Sequence, residues 1–210
     1  MSGYTLVIAN KNYSSWSLRA WLMMKATGAD FKEILIPLRQ ENTKEQIALY
    51  SPSGLLPVLL VDNQPIWDSL AIGEYLAQQF PQARLWPKDS RVRAHARSIS
   101  AEMHAGFQAL RSKRSVNMKK RETLPPDADV KREVERVEYL WDEARAIADP
   151  GDFLYGSFTI ADAMYAPVVS RFVTYGIDVS KESRRYMDTI WNMPTFKEWY
   201  EAALKESWVW

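Results

Sequence analysis

The chain has 210 residues, of which 47% are hydrophobic, enough for one large domain or two small ones and too many for a disordered chain. Its 27 Lys and Arg residues against 26 Asp and Glu residues give a net charge of +1, which excludes an overall field favouring nucleic acid or an anionic membrane. The lack of Cys excludes disulfides and thiolate metal sites, and two His residues leave little for a metal cluster, so we expect no bound metal.

The N-terminal residues carry no targeting or membrane-spanning pattern. They lack a basic region ahead of a long apolar stretch. Nowhere in the chain does a window approach the roughly 18 apolar residues that a membrane span needs. We therefore expect a cytoplasmic protein without a membrane partner.

The first fifty residues alternate between strand and helix patterns. A β-branched and apolar run at Thr5–Ala9 predicts a strand, and a Tyr-Ser-Ser break at residues 13–15 precedes a helix that ends near Gly28. Phe31–Ile36 predicts a second strand, and Thr43–Leu49 predicts a short second helix. This order is typical of a right-handed βαβ crossover.

Residues 51–76 predict a strand, a turn, a second strand and a helix. These four parts lie at Val58–Val61, residues 62–63, Pro65–Trp67 and from residue 68 onward. The full order is β-α-β-α-β-β-α, which builds a small mixed sheet with helices packed on it. This is the thioredoxin-like arrangement, and we expect it to occupy residues 1–80.

The same segment carries groups suited to a peptide-like, zwitterionic ligand. Pro57 stands at the first residue of a strand, where the bond to Leu56 has an appreciable chance of being cis and would turn the Leu56 N–H and C=O outward. The Ser69 hydroxyl and the first N–H groups of the following helix form an anion site, and Asp68 offers a carboxylate to a cation.

Residues 91–210 lack clear strand signals and predict an all-helical domain. Apolar residues at spacings of three and four predict one long helix from Val92 to Leu110 and a second over Val130–Trp141. Residues 81–90, which contain two prolines, form the predicted linker between the domains. Further helices are predicted at Thr159–Tyr175 and Pro194–Leu204.

Three motifs, in this order along the chain, resemble the glutathione S-transferase family. Residues 13–19, YSSWSLR, are similar to the SSCxWR-type active-site opening of its zeta class, with Trp16 where that class has cysteine. An apolar residue before Pro57, then a strand, a hairpin and an acid-serine pair, resembles the glutathione-binding half of the family. Residues 158–163, FTIADA, resemble the T-x-A-D capping box of its helical domain.

The resemblance implies a homodimeric glutathione transferase, with a thioredoxin-like N-terminal domain and an all-helical C-terminal domain, that acts on a small electrophile. A glutathione thiol has a pKa of about 8.5, and a hydroxyl donor at a helix N-terminus stabilises its thiolate. The resemblance assigns this role to Ser14. Ser15, Ser17 and Tyr13 remain alternatives, and one of the serines can instead be only the N-cap of the first helix.

The resemblance also implies the remaining contacts of glutathione. Asp68 and Ser69 hold the γ-glutamyl end, and the backbone of Leu56 pairs with the cysteinyl part. Polar groups for the glycyl carboxylate are expected at Gln40 and Lys44. The pocket for the second substrate is predicted, from helix phase, at Trp16, Met103, Phe107 and Arg111.

Two other functions fit the same residues. One is a glutathione-dependent cis-trans isomerase similar to maleylacetoacetate isomerase, although Trp16 fills part of the pocket at the position where that class has cysteine. The other is a non-catalytic interaction module that kept the fold. Isomerisation leaves glutathione unconsumed, and an interaction module does not bind it, so turnover and binding separate the three functions.

Three features lie outside these motifs. The run from Arg111 to Arg121 has six basic residues in eleven, but it lacks interleaved aromatic residues, so we expect a solvated helix end and no nucleic-acid partner. His95 and His104 are nine residues apart, and we expect both to have helix-surface roles. The tail with Trp208 and Trp210 either packs under the first domain or closes over the pocket.

Overall fold

The N-terminal part of the molecule is a four-stranded mixed sheet with helices packed on it, in a computed structural model that describes residues 3–209. The strands are Tyr4–Ile8 (β1), Lys32–Leu35 (β2), Val58–Val61 (β3) and Gln64–Ile66 (β4). The helices are Ser15–Ala26 (α1), Thr43–Ala48 (α2) and Ser69–Gln79 (α3). This order confirms the predicted thioredoxin-like arrangement.

The sheet has the strand order β2-β1-β3-β4. Strand β1 pairs in parallel with β2 and antiparallel with β3, and β4 pairs antiparallel with β3. Asp62 and Asn63 connect β3 to β4 with φ angles of 48° and 67°, the positive values that a two-residue type I′ hairpin requires. Strand β1 buries its last three residues and β3 its first two, so the buried centre of the sheet lies next to the loops before α1 and β3.

The C-terminal part is helical from Ser90 onward among the described residues. Its helices are Ser90–Ala105 (α4), Gln108–Lys113 (α5), Ala128–Ala146 (α6), Ile160–Thr174 (α7), Lys181–Asn192 (α8) and Pro194–Lys205 (α9). A single 3-10 turn, Pro81–Ala83, lies in the segment between α3 and α4. The domain limits at residues 80 and 91 stay a prediction. None of the helices from residue 3 to residue 209 is long and apolar enough to cross a membrane.

The predicted helix from Val92 to Leu110 is in fact two helices. Helix α4 ends where the Gly106 N–H donates to the Glu102 carbonyl, and Phe107 then takes a left-handed conformation with φ 59°. A Cβ on Gly106 would lie 2.9 Å from that carbonyl oxygen, so glycine is needed at the break. Phe107 and Leu110 are both buried after the turn, so the apolar spacing in the sequence continues through the break and predicts one helix.

The sequence analysis predicts no helix at the position of α8. Its sequence, KESRRYMDTIWN, is mostly polar, and three apolar side chains at Tyr186, Met187 and Ile190 bury it against the core. Ser180 caps it, since its hydroxyl accepts from the Ser183 N–H at 3.1 Å. A serine in this position is typical of a helix start. The apolar stripe behind it is short, so the sequence pattern for a helix is weak.

Helix α7 forms the centre of the helical part and packs against α1, α4 and α8. Asp162, in its first turn, is fully buried and accepts four hydrogen bonds from three residues. Burial raises the pKa of Asp162 to about 6, although these hydrogen bonds favour the carboxylate. The donors are the Leu154 and Thr159 N–H groups and the Thr159 and Tyr186 hydroxyls, at 2.7–3.2 Å.

Candidate functional site

A cavity of about 330 Å³ opens between the start of α1, the loops that precede β3 and α3, and the end of α4. Most of its wall is apolar, with one carboxylate and one imidazole on the side of α3 and α4. Its lining residues are Trp16, Ser53, Leu55, Leu56, Pro57, Trp67, Asp68 and His104. Four residues from the predicted site, at positions 16, 56, 57 and 68, are therefore brought together by the fold.

Leu56 and Pro57 form the wall that leads into β3. The bond between them is cis, as the sequence suggested, and β3 begins at the next residue. Among residues 3–209, the Leu56 N–H and C=O make no backbone hydrogen bond. The structure thus presents a free donor and a free acceptor at the cavity, which is the edge that an extended peptide backbone pairs with.

The N-terminus of α3 supplies the polar end of the cavity. Asp68 is the N-cap, and one of its carboxylate oxygens accepts from the Leu70 N–H at 3.0 Å. The Ser69 hydroxyl is buried and has no hydrogen-bond partner in the part of the chain that the structure describes. Because the first N–H groups of a helix favour an anion, this end combines an anion site with a neighbouring carboxylate.

His104 is a site residue that the sequence analysis did not identify. Its Nε2 lies 3.0 Å from the Asp68 carboxylate, and its ring packs edge-on against Trp16 with centroids 5.2 Å apart. Its Nδ1 is buried and unpartnered among residues 3–209. No local signal marked it, since only the packing of α4 against α3 brings it to the cavity; the expected helix-surface role is corrected.

Two guanidinium groups stack on the Trp16 ring. The guanidinium carbons of Arg19 and Arg111 lie 4.5 and 4.6 Å from the ring centroid, within the range of cation–π attraction. Arg19 is buried, its Nε donates to the Met164 carbonyl, and its Nη1 has no partner among the described residues. Burial lowers the pKa of Arg19 well below its usual value, and the charges of Arg171 and Arg111 act in the same direction. Positive charge is therefore concentrated next to Trp16.

Ser14 is the N-cap of α1. Its hydroxyl accepts from the Ser17 N–H at 3.2 Å and donates to the Ser17 hydroxyl at 2.9 Å, while that second hydroxyl accepts from the Ala9 N–H. Ser17 is fully buried, whereas Ser14 and Ser15 are 8% and 9% exposed. The capping role is thus present, and the activation of a thiol by Ser14 stays a prediction.

The comparison with known proteins concerns this same part of the chain. A family model for the glutathione S-transferase N-terminal domain matches residues 13–79, which run from the α1 cap to the end of α3. A probable maleylacetoacetate isomerase from Caenorhabditis elegans is 29% identical over 187 residues, which are 87% of this chain and 86% of that protein. The N-terminal part of the chain thus resembles the glutathione S-transferase family.

Further relatives match about half or nearly the whole of the chain. Maleylacetoacetate isomerase from Rattus norvegicus is 35% identical over 101 residues, 47% of this chain and 46% of that protein. A solved glutathione transferase homologue from Burkholderia, with bound glutathione, has a TM-score of 0.74 and 24% identity, covering 98% of this chain and 100% of that one. This likeness extends the glutathione S-transferase fold over both parts of the molecule.

Several residues expected in a glutathione S-transferase site lie outside the cavity wall. Met103 and Phe107 are buried in the main core, because the side of α4 that carries Met103 faces α7 and the next residue faces the cavity. Neither side chain lines this cavity, and a place for Met103 and Phe107 in a substrate pocket stays a prediction. Gln40 and Lys44 are exposed near α2 and do not line it, and Gln40 donates to the Leu38 carbonyl.

Tyr13, an alternative hydroxyl donor to the glutathione thiolate, does not line the cavity beside Trp16. Its hydroxyl donates to the Trp208 carbonyl at 3.4 Å, and its ring lines a second cavity of about 280 Å³ together with Tyr175. The tail at Trp208 therefore packs beside the loop that precedes α1. Trp210 lies outside the described residues.

The basic run from residue 111 to residue 121 continues past the end of α5, and only part of it is solvated: Lys113, Lys119, Lys120 and Arg121 are exposed, whereas Arg114 is buried. Helix α5 ends at Lys113, whose ammonium pairs with the carboxylates of Asp127 and Asp129. Arg114 is buried and donates to the Pro125 carbonyl, and Arg111 donates to the His104 and Gly106 carbonyls. Burial lowers the pKa of Arg111. Arg111 and Arg114 thus contribute to packing between loops, and Arg111 adds positive charge beside Trp16.

Proposed function

We propose that the protein activates the thiol of glutathione as a thiolate and transfers it to a small electrophile. The observation that carries the proposal is the buried Ser69 hydroxyl, which stands without a partner among the described residues at the N-terminus of α3. A buried polar group of this kind costs free energy unless a ligand satisfies it. The free Leu56 backbone and the Asp68 carboxylate line one cavity beside it, an arrangement that suits a short zwitterionic peptide.

The parts of glutathione match these groups one by one. The γ-glutamyl carboxylate binds the Ser69 hydroxyl and the N-terminus of α3. The γ-glutamyl ammonium binds the Asp68 carboxylate and replaces His104 as its partner. The cysteinyl backbone pairs with Leu56 beside Pro57. The glycyl carboxylate extends toward the polar side chains of α2, for which Gln40 and Lys44 are the candidates.

The thiol then lies toward the N-terminus of α1. We propose that Ser14 turns its hydroxyl from Ser17 to the thiolate and stabilises it together with the positive end of the α1 dipole. The thiolate sulfur forms a bond to the electrophilic carbon, and the leaving group departs with the electron pair of the bond that breaks. Trp16 and the apolar wall of the cavity exclude water from this step. No residue is assigned to a metal.

Loss of the α3 anion site is expected to weaken glutathione binding without unfolding the protein. We expect Ser69→Ala and Asp68→Asn each to raise the Kd of glutathione about tenfold, since hydrogen bonds to charged groups contribute about 1.5–3 kcal/mol. Isothermal titration calorimetry measures this. Asp89→Asn is the matched control, because Asp89 is likewise an exposed N-cap, at the start of α4. Equal Kd values for all three variants and the wild type would place glutathione elsewhere.

A second candidate is a glutathione-dependent isomerase of conjugated acids. Two observations favour it: the relatives quoted above are named maleylacetoacetate isomerases, and the guanidiniums of Arg19 and Arg111 place positive charge next to the pocket residue Trp16. In this reaction the thiolate adds to the double bond, the resulting single bond rotates, and the thiolate leaves again. Glutathione is therefore regenerated in each cycle.

Substrate charge should separate this candidate from a transferase of neutral electrophiles. We expect Arg111→Gln to raise KM for an α,β-unsaturated acid about tenfold and to leave KM for a neutral electrophile within twofold. Steady-state kinetics, with glutathione followed by thiol titration, measures both the KM values and whether glutathione is consumed. Arg132→Gln, on the exposed face of α6, is the control. An equal rise for both substrates would show that Arg111 only supports the fold.

A non-catalytic interaction module is the remaining alternative. Calorimetry with wild-type protein decides against it if glutathione binds and decides for it if no heat is seen.

We also propose that the protein is a homodimer in the cytoplasm. The dimer follows from the family resemblance, in which the first domain of one subunit packs on the second domain of the other, and sedimentation velocity measures it. The location is the expectation stated for the sequence, and cell fractionation measures it.

A further inference from the structure

The segment that follows α9 packs on the loop between β1 and α1, almost two hundred residues away in the sequence. Glu206 is only 8% exposed. One of its carboxylate oxygens accepts from the Lys11 N–H at 2.6 Å and the other from the Asn12 N–H at 3.0 Å. Hydrogen bonds from N–H groups to an ionised carboxylate are about twice as strong as neutral ones, and two of them define the orientation of the loop.

Two more contacts from the same region hold this loop. The indole N–H of Trp199, in α9, donates to the Lys11 carbonyl at 3.0 Å. The Tyr13 hydroxyl donates to the carbonyl of Trp208. Three consecutive loop residues therefore bond to α9 or to the tail, and each contact involves a different donor.

The opposite side of the loop is held by the segment after α5. The Met118 N–H donates to the Asn12 carbonyl, and the Lys119 N–H donates to the Asn12 side-chain oxygen, each at 3.1 Å. The Lys119 ammonium in turn donates to the Glu206 carbonyl. Asn12 is thus clamped between two segments of the helical part, with Glu206 as the acidic member of the clamp.

The clamped loop leads directly into the α1 cap. The Tyr13 and Ser14 N–H groups both donate to the Asn10 carbonyl, so a shift of the loop moves Ser14 and the first turn of α1 with it. Misplacing a reacting group by about 1 Å can cost on the order of 100-fold in rate. The Lys11 ammonium is engaged by Glu33, at 2.7 Å, and does not compete for the carboxylate of Glu206.

We propose that Glu206 is a positioning residue for the thiol-activating site: its carboxylate holds the Lys11 and Asn12 N–H groups and so sets the position of Ser14 relative to bound glutathione. The proposal rests on the proposed transferase function. It assigns to the C-terminal segment a role in the reaction at the opposite end of the chain. Glu206 itself contacts neither glutathione nor the electrophile.

The test compares Glu206→Gln and Glu206→Asp with Glu201→Gln, an exposed position on α9. In Glu206→Gln one oxygen becomes an NH2 group that faces an N–H donor, so one of the two hydrogen bonds is lost. We expect kcat to fall about 10- to 100-fold with KM for glutathione within about threefold, and the acid limb of the kcat–pH profile to move to higher pH. Glu206→Asp should recover part of kcat, and the control should match wild type.

A purely structural role gives a different result. If Glu206→Gln lowers the melting temperature but leaves kcat and the pH profile unchanged, the positioning role is wrong. Amide hydrogen exchange of Lys11 and Asn12 gives a readout that does not depend on activity. Faster exchange in Glu206→Gln than in Glu201→Gln supports the clamp, and equal exchange overturns it. Absence of glutathione binding by the wild type would refute the transferase function and leave this exchange test decisive for the clamp.

Discussion

Asp162→Ala is expected to lower the free energy of unfolding by about 3 kcal/mol or more, because four donors lose their acceptor in a fully buried site. All three donor residues are buried, so the donors left without Asp162 cannot turn to solvent. Urea unfolding followed by circular dichroism measures the change. Asp142→Ala, on an exposed face of α6, removes only a pair with Arg145 and should cost below about 0.5 kcal/mol.

The size of this effect should depend on pH in a defined direction. Burial raises the pKa of Asp162 to about 6 in the folded protein, whereas an Asp in the unfolded chain has a pKa of about 3.9. The folded state therefore binds the Asp162 proton more tightly than the unfolded state does. The stability that this proton adds to the folded protein is complete below about pH 4 and is lost as pH rises through about 6. The difference between wild type and Asp162→Ala should grow by about 2 kcal/mol from pH 7 to pH 4. A difference that shrinks over this range would contradict the raised pKa.

Ser14→Ala is expected to lower kcat by about 100- to 1000-fold, the cost of removing one donor from a developing or resident anion. The pKa of bound glutathione thiol should rise toward its free value, and ultraviolet absorbance of the thiolate measures it. Glutathione binding itself should stay close to normal, since the α3 anion site is intact. A loss of about 1 kcal/mol in stability accompanies the change, because Ser14 also caps α1.

The control for Ser14 is Ser98→Ala. Ser98 is an exposed serine of α4 whose hydroxyl donates to the Ala94 carbonyl, so it reports the cost of removing a serine that has no place in the site. An unchanged thiol pKa in Ser14→Ala would move the activating role to Ser15, Ser17 or Tyr13. Ser15 is the first serine to test, because it is 9% exposed whereas Ser17 is fully buried.

Local signals predicted the N-terminal half well. The strand at Val58–Val61 was predicted with the observed limits, and the hairpin, the α3 start and the proline before β3 were all marked by residues with strong conformational preferences. These preferences act within a few residues, so they can be derived from the chain alone. The family resemblance rested on the same local motifs, and the family match over residues 13–79 confirms it.

The errors lie where packing decides between local alternatives. The break after α4 was missed because Phe107 continues the apolar spacing while the backbone turns at Gly106. His104, for which the sequence predicts a helix-surface role, lines the cavity, and Met103 is buried in the core, since one residue of helix phase separates the two faces of α4. Arg114 was expected in solvent but is covered by loop residues from another part of the chain.

Local patterns predict the order of elements up to the end of α3, the backbone edge at Leu56 and Pro57, and the start of α3 at Asp68 and Ser69, because turn geometry, proline and capping chemistry are local. Which side chains meet at the cavity depends on tertiary packing. His104 reaches Asp68 and Glu206 reaches the loop before Ser14 through contacts between segments 36 and 194 residues or more apart. Such contacts depend on how helices pack, and the free energy of that packing is shared by many side chains that no local pattern identifies.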